Sequence, residues 1–221
     1  MQLTNLMPAV STLIPFEYTE IKSAVYDKII AALLTEASTS RTPYLLQVGG
    51  IPGAGKSTFC SSCRRENSLF ISFDKIMEMI PDYQADVYKL GRKESFHKWE
   101  IIARVIGYEL LRQAVDKKLN IILEHSGVNE AHLQMMENLP KLGYDTEECF
   151  ILCDIEKACK RAEEREKITN RHTPRELIEE RAKLVEKYVH SYQKIVNHMS
   201  VYDSSNNKFE LVKSYRKKIA G

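Results

Sequence analysis

Hydrophobic and polar residues along this chain form blocks that predict alternating helices and strands. Apolar residues at helical spacing predict helices over residues 20–37 and 94–118. Short apolar runs bounded by polar or turn residues predict buried strands at 44–48, 69–72, 120–124 and 149–153. Further helices are predicted at 132–142, 155–167 and 175–199, the last opened by Pro174, with weaker strands at 201–202 and 209–212.

This alternation predicts an α/β fold in which a mostly parallel sheet carries helices on both faces, because parallel neighbours need crossover connections. With 221 residues, of which 43% are hydrophobic and 28% charged, the chain fits one soluble globular domain over 1–221. In such a fold the ligand binds beyond the carboxyl ends of the strands.

A phosphate-binding motif follows the first predicted strand. Residues 50–58 read Gly-Ile-Pro-Gly-Ala-Gly-Lys-Ser-Thr and satisfy the pattern G-x-x-x-x-G-K-[ST]. The glycines let the backbone curl and aim its N–H groups at phosphate oxygens, and the helix that follows adds its positive dipole end. We expect Lys56 to reach the β- and γ-phosphates and the Ser57 hydroxyl to ligate Mg²⁺. The motif therefore predicts a P-loop NTPase or kinase fold, whose ATP-binding residues are Gly50, Gly53, Ala54, Gly55, Lys56, Ser57 and Thr58.

Composition argues against several other classes of protein. The net charge of +2 provides no general surface for nucleic acid or membrane, and residues 1–16 lack the charged start and apolar run of a signal peptide. We therefore expect a cytoplasmic protein with no nucleic-acid or membrane partner. The five cysteines fit a reducing compartment better than a disulfide framework. Cys60 and Cys63 form a single C-x-x-C on the helix after the motif, where packing is favoured over redox or metal chemistry.

Carboxylates stand at the ends of the second and third predicted strands. Asp74 follows the strand 69–72, and Glu124 closes the strand 120–124. Both are therefore expected at the same edge of the sheet as Ser57. Asp74 by itself fits a helix cap or a solvated loop residue equally well. The joint placement of the two carboxylates indicates chemistry beside the bound phosphates.

Among nucleotide-binding classes, a small kinase fits best. A GTPase would need a D-x-x-G after a strand and an N-K-x-D guanine-reading motif, but no D-x-x-G is present and residues 207–210 read Asn-Lys-Phe-Glu. An oligomeric motor ATPase would usually need a longer chain. A kinase needs a phosphate cradle with Mg²⁺, a carboxylate that takes a proton from the attacking hydroxyl, and arginines that close over the transferred group.

The arginines of such a kinase are expected in a charged segment at about residues 160–174. This segment contains Arg161, Arg165 and Arg171, has few apolar residues and follows the fourth predicted strand. It predicts a solvated, arginine-rich lid between two helices. The alternative is an exposed helix face with charge pairs four residues apart.

Several of these features together resemble the zeta toxin family of P-loop kinases, over about residues 20–205. They are the motif at 50–58, Ser72-Phe73-Asp74, the strand end 122–126, Arg165, and Arg171-His172-Thr173-Pro174. The resemblance implies a toxin-like kinase that uses ATP and Mg²⁺ to phosphorylate a sugar hydroxyl of a UDP-N-acetyl-hexosamine. It also implies a small antitoxin protein as a partner.

The resemblance assigns roles to single residues. Asp74 would be the general base, Lys56 would act on the phosphates, and Arg165 and Arg171 would clamp the transferred phosphoryl group, with Arg161 as an alternative for the first arginine. The acceptor would be bound by Glu124, by Ser126 in place of the family's threonine, and by Glu100. The family commonly has an arginine where this chain has Val128.

Other interpretations remain open. A kinase of another small hydroxyl substrate, such as an antibiotic, nucleoside or cofactor, would keep the same catalytic residues and differ only in a pocket formed by 83–100 and 124–129. A non-catalytic nucleotide-binding protein is less favoured, because no catalytic group is obviously missing. A nucleic-acid end kinase would need a basic groove, which the near-neutral charge disfavours.

Overall fold

The computed structural model of the chain describes residues 1–15, 23–169 and 173–217. Its strands are β1 (Tyr44–Gly50), β2 (Ser68–Ser72), β3 (Asn120–Glu124), β4 (Asp145–Leu152), β5 (His198–Asp203) and β6 (Glu210–Arg216). Its α-helices are α1 (Leu3–Leu6), α2 (Ala24–Leu34), α3 (Lys56–Ser62), α4 (Phe73–Glu78), α5 (Pro81–Leu90), α6 (Arg92–Asp116), α7 (Glu130–Asn138), α8 (Ile155–Thr169) and α9 (Arg175–Ile195). Within these described residues, 3-10 helices cover Pro8–Thr12 and Leu139–Leu142.

The strands form one sheet in the order β2-β3-β1-β4-β5-β6. All neighbouring pairs are parallel except β5 and β6, which are antiparallel. Consecutive residues such as Leu45 and Leu46, or Ile121 and Ile122, are all buried. Because successive side chains of a strand point to opposite faces, the sheet must be covered on both sides. The predicted α/β fold with a mostly parallel sheet is therefore confirmed.

The prediction of the last long helix was wrong at the C-terminal end of that helix. The pattern predicts a helix over 175–199, but α9 ends at Ile195 and the chain re-enters the sheet as β5. Val196 has extended backbone angles, and the side-chain Nδ2 of Asn197 donates to Asp145 Oδ1 over 2.7 Å. Pairing with β4 decides this boundary, because the apolar residues at its end fit a strand as well as a helix.

The first residues of the chain contribute to the core, which the sequence pattern did not predict. Leu6 and Met7 are completely buried, and Leu13 packs against the core. The helix predicted at 20–37 is α2, with residues 16–22 outside the described part.

The cysteines of the C-x-x-C pair lie on α3. Cys60 is buried, Cys63 is half-buried, and neither forms a disulfide. No helix among residues 1–15, 23–169 and 173–217 combines the length and apolar character needed to cross a membrane.

Candidate active site

The phosphate loop joins the end of β1 to the start of α3. Gly50, Gly53 and Gly55 all have positive φ, at 136°, 82° and 89°. A Cβ at Gly50 would collide with the Ile151 carbonyl oxygen, and one at Gly53 with the Ala158 carbonyl oxygen. Both glycines are therefore required by conformation and by space.

The two side chains expected to act on phosphate and metal lie in this loop and its helix. Lys56 Nζ donates to the carbonyl oxygens of Gly50 and Ile51, over 3.1 and 3.0 Å. Phosphate oxygens bound in the loop would compete with these carbonyls for the ammonium group. Ser57 Oγ donates to Glu124 Oε1 over 2.5 Å. The Ser57 hydroxyl and a carboxylate are thus adjacent at the start of α3.

Strand pairing explains how Glu124 reaches Ser57. Glu124 ends β3, which lies between β1 and β2, in register with Val48 and Ser72. Asp74 lies in the first turn of α4, directly after β2. Parallel strands present their carboxyl ends at one edge of the sheet, so both carboxylates lie at the edge where the phosphate loop begins.

A cavity of about 540 Å³ opens at this edge of the sheet. Its walls include most of the predicted site residues: Gly53, Gly55, Lys56, Ser57, Thr58, Asp74, Glu100, Glu124, Ser126, Arg161 and Arg165. Gly50 and Ala54 belong to the loop without lining this cavity. Arg171 lies outside the described residues. The fold therefore brings most of the phosphate loop, both carboxylates and two of the predicted arginines to one cavity.

Arg161 and Arg165 differ in their surroundings. They lie on α8, which continues as a helix to Thr169, so residues 160–169 are helical rather than a loop between helices. The Arg161 guanidinium donates to Ser204 O over 2.7 Å and Asn207 Oδ1 over 2.8 Å, with a longer contact to Gly53 O at 3.4 Å. Arg165 Nη2 donates to Thr173 Oγ1 over 2.8 Å. Arg161 thus ties the phosphate loop to the β5–β6 connection, a role that the sequence could not indicate.

A half-buried histidine forms part of the cavity wall next to Ser126. The His125 ring stacks on the His132 ring, and Gly127 N donates to His125 Nδ1 over 3.1 Å. Burial lowers the pKa of His125, with further lowering by the nearby His132 and by the charges of Arg104, Lys56 and Arg181. The neutral imidazole is therefore the favoured form in the cavity wall.

A buried polar network supports this wall from inside the core. The amide of Gln47 bonds His132 Nδ1 with its oxygen, and its nitrogen donates to Glu148 Oε2 over 2.8 Å and to Tyr192 OH over 3.1 Å. Tyr192 OH in turn donates to Gly127 O over 2.9 Å. The connection between β3 and α7, which contains Ser126, is therefore anchored to β1, β4 and α9.

Burial perturbs the titrating groups of this network. It lowers the pKa of His132 to about 3 and raises the pKa of Glu148 well above its usual range. The sequence pattern did not indicate this network, because Gln47 and Glu148 lie within strands whose apolar neighbours dominate the pattern. A polar residue inside an otherwise apolar strand was the available signal.

The model of the zeta toxin family matches residues 30–214. This chain belongs to the zeta toxin family. The resemblance based on the motifs is thereby confirmed, and the fold is that of the P-loop kinases. A search of curated proteins gave no match.

Solved structures agree with this zeta toxin assignment at the level of the fold. One comes from a study of the PezAT chromosomal toxin–antitoxin system of Streptococcus pneumoniae, with a TM-score of 0.73 and 17% identity over 90% of this chain and 84% of that one. A complex of AvrRxo1-ORF1 with AvrRxo1-ORF2 and sulphate ions has a TM-score of 0.59 and 12% identity, covering 86% and 66%. The same complex with ATP has a TM-score of 0.55 and 12% identity, covering 90% and 66%.

Proposed function

We propose that this zeta toxin family member is a kinase that transfers the γ-phosphoryl group of ATP to a sugar hydroxyl of a UDP-N-acetyl-hexosamine. The observation that carries the proposal is the meeting of Lys56, the Ser57–Glu124 pair and Asp74 around one cavity. A phosphate cradle and a carboxylate base within the same cavity are what phosphoryl transfer to an alcohol needs. The AvrRxo1-ORF1 complex, which has a similar fold, was solved with ATP, and this supports ATP as the donor.

The residues around the cavity fit a nucleotide-bound Mg²⁺. Ser57 Oγ and Glu124 Oε1 are hard oxygen donors, the kind that Mg²⁺ prefers. Among the described residues no group of three or more His, Cys, Asp or Glu side chains is placed to hold a metal alone. Mg²⁺ at such sites commonly takes one or two protein oxygens and completes its shell with phosphates and water. When bound, it would neutralise charge on the phosphates.

The protein's own groups then have separate tasks. Asp74 accepts the proton of the attacking hydroxyl, and Lys56 holds the phosphate oxygens in line for transfer. Arg165, with Arg171 from the segment outside the described residues, neutralises the charge that develops on the transferred group. Ser126 and Glu100 hydrogen-bond the acceptor. The resemblance assigns Glu124 to the acceptor, but its contact with Ser57 favours a role at the Mg²⁺ instead.

A protein partner forms part of this proposal. The PezAT neighbour is described as part of a toxin–antitoxin system, and AvrRxo1-ORF1 was solved in complex with a second protein. We infer that a small antitoxin binds this chain and suppresses the kinase.

The proposed reaction is tested by incubating the purified chain with ATP, Mg²⁺ and UDP-N-acetylglucosamine and examining the products by mass spectrometry. We expect a product heavier by one phosphoryl group, and none from the Asp74→Asn variant. A parallel incubation with a metabolite extract searches for other acceptors. Phosphorylation of a different metabolite, with none of the UDP-sugar, would replace the proposed acceptor while keeping the kinase.

A further inference from the structure

Two arginines of the cavity come from neither the phosphate loop nor α8. Arg104 lies on α6 and Arg181 on α9, and both line the cavity beside the loop that contains His125 and Asn129. Each contributes to lowering the pKa of His125 through its positive charge, which places both cations near that ring. These two helices therefore bring positive charge to the wall of the cavity.

Neither arginine is neutralised strongly by the protein. Arg104 Nη2 contacts Glu100 Oε2 at 3.3 Å, and the two side chains are 40% and 32% exposed. A long, exposed pair of this kind is weak. Arg181 has no ion pair or hydrogen bond among the described residues. Of the two arginines, Arg181 therefore carries the less compensated charge.

Asn129 supplies a third donor to the wall of the same cavity. Its Oδ1 accepts from His132 N over 2.9 Å and so caps the start of α7. This cap fixes the amide orientation, which leaves Nδ2 as a buried donor with no hydrogen-bond partner within the described parts of the chain. An unpaired buried donor is unfavourable, and a ligand oxygen would satisfy it.

We propose that Arg104, Arg181 and Asn129 form a second anion subsite that binds a phosphate group of the acceptor. The inference rests on the proposed function and deepens it, because it assigns the phosphate of the acceptor to three named residues of this chain. Guanidinium groups match phosphate oxygens through paired N–H donors, and the Asn129 amide adds a neutral donor. Glu100 remains able to accept from acceptor hydroxyls. Val128, where an arginine is common in the family, is 2% exposed and does not line the cavity.

The test is a calorimetric titration of the full chain with three probes: UDP-N-acetylglucosamine, N-acetylglucosamine 1-phosphate and free N-acetylglucosamine. A non-hydrolysable ATP analogue and Mg²⁺ are present throughout. The first two probes distinguish a nucleotide diphosphate from a simple sugar phosphate. The variants are Arg104→Gln, Arg181→Gln and Asn129→Asp, with Lys183→Gln as a control for loss of one exposed charge on α9. Asn129→Asp keeps the oxygen that caps α7 and replaces the free donor with an oxygen.

We expect at least one phosphate-bearing probe to bind the parent chain and free N-acetylglucosamine to bind at least 10-fold more weakly. Each of the three variants should weaken binding of the phosphate-bearing probe about 10-fold or more, whereas Lys183→Gln leaves it unchanged. Affinity for the ATP analogue and the melting temperature should stay close to the parent values in Arg181→Gln. In turnover assays the loss should appear in KM rather than kcat.

Two results would overturn the subsite: equal binding of free and phosphorylated sugar by the parent, or parent-like affinity in all three variants. The outcome is separable from that of the proposed function. Phosphoryl transfer to the UDP-sugar that is insensitive to the three variants removes the subsite and keeps the function. Binding that follows the expected pattern without any phosphoryl transfer keeps the subsite and removes the function.

Discussion

The imidazole rings of His125 and His132 stack with their centroids 3.7 Å apart and their planes 13° from parallel. His125 forms part of the cavity wall, whereas His132 is fully buried and bonded to Gln47 and to Tyr108, the latter over 2.8 Å. The stacked pair therefore connects the cavity to the polar network of the core. Because Ser126 follows His125 directly, the core helps to position the acceptor side of the site.

Lys56→Ala should abolish ATP binding, or weaken it more than about 10-fold, because a charge-assisted contact to phosphate is lost. The side chain is not part of the apolar core, so the melting temperature should change little. Titration calorimetry with ATP measures the effect, and Lys160→Ala, at an exposed position of α8, is the control. Parent-like ATP affinity and turnover in Lys56→Ala would refute the phosphate-loop assignment.

Asp74→Asn should lower phosphoryl transfer about 100-fold or more while ATP affinity stays near that of the parent, because a base is lost and the shape is kept.

Glu124→Gln should behave differently from Asp74→Asn. Its main effect should be a higher Mg²⁺ concentration for half-maximal rate, because Glu124 contacts Ser57. Steady-state rates over a Mg²⁺ series compare the two variants. Turnover of Asp74→Asn within a few-fold of the parent would make Glu124 the next candidate for the base.

Arg161→Ala and Arg165→Ala should have different main effects. Removing Arg161 deletes the contacts to Ser204 and Asn207 and should lower the free energy of unfolding by about 2 kcal/mol. Removing Arg165 should lower kcat about 100-fold with a smaller change in stability, because it is expected to act on the transferred group. Thermal unfolding and turnover are measured on both. A large loss of kcat in a stable Arg161→Ala protein would exchange their roles.

Stability should depend on pH through buried groups with opposite effects: His132, whose pKa is lowered as that of His125 is, and Glu148, whose pKa is raised. The pKa of His132 falls from 6.5 to about 3 on folding, so its contribution is complete above pH 6.5 and is lost as the pH drops below that value. The pKa of Glu148 is raised above 4.5, so its contribution is complete below pH 4.5 and is lost as the pH rises. Each group contributes a slope of about 1.4 kcal/mol per pH unit in its own range.

Glu148→Gln separates the two effects. The glutamine keeps an oxygen that accepts from Gln47. It removes the titrating carboxyl, whose effect on stability opposes that of His132 between pH 4.5 and 6.5. The unfolding free energy of this variant should therefore fall more steeply than that of the parent as the pH is lowered through this range, and it should exceed the parent value at pH 7. His132→Gln should change the slope in the opposite direction. Urea unfolding at several pH values measures both slopes, and identical slopes in all three proteins would contradict the assignment.

The phosphate loop and the sheet class were determined by local sequence. The phosphate-binding residues of 50–58 occur at fixed spacing within one continuous stretch of sequence, so the motif is recognised without knowledge of any distant contact. The strand Asn120–Glu124 was predicted with its observed bounds, because a compact apolar run between polar residues is a local signal. The family was determined in the same way, by short motifs in a particular order.

Tertiary structure alone decided which side chains meet. Glu124 contacts Ser57, 67 residues away in sequence, because β3 pairs with β1. Arg161 is held by Ser204, 43 residues further along, and α9 ends where its last turn gives way to β5 pairing. The spacing of apolar residues predicts which face of a helix or strand is buried, but it does not predict which other element covers that face. Contacts between distant segments are therefore set by packing and strand pairing, which the spacing of residues along the chain does not encode.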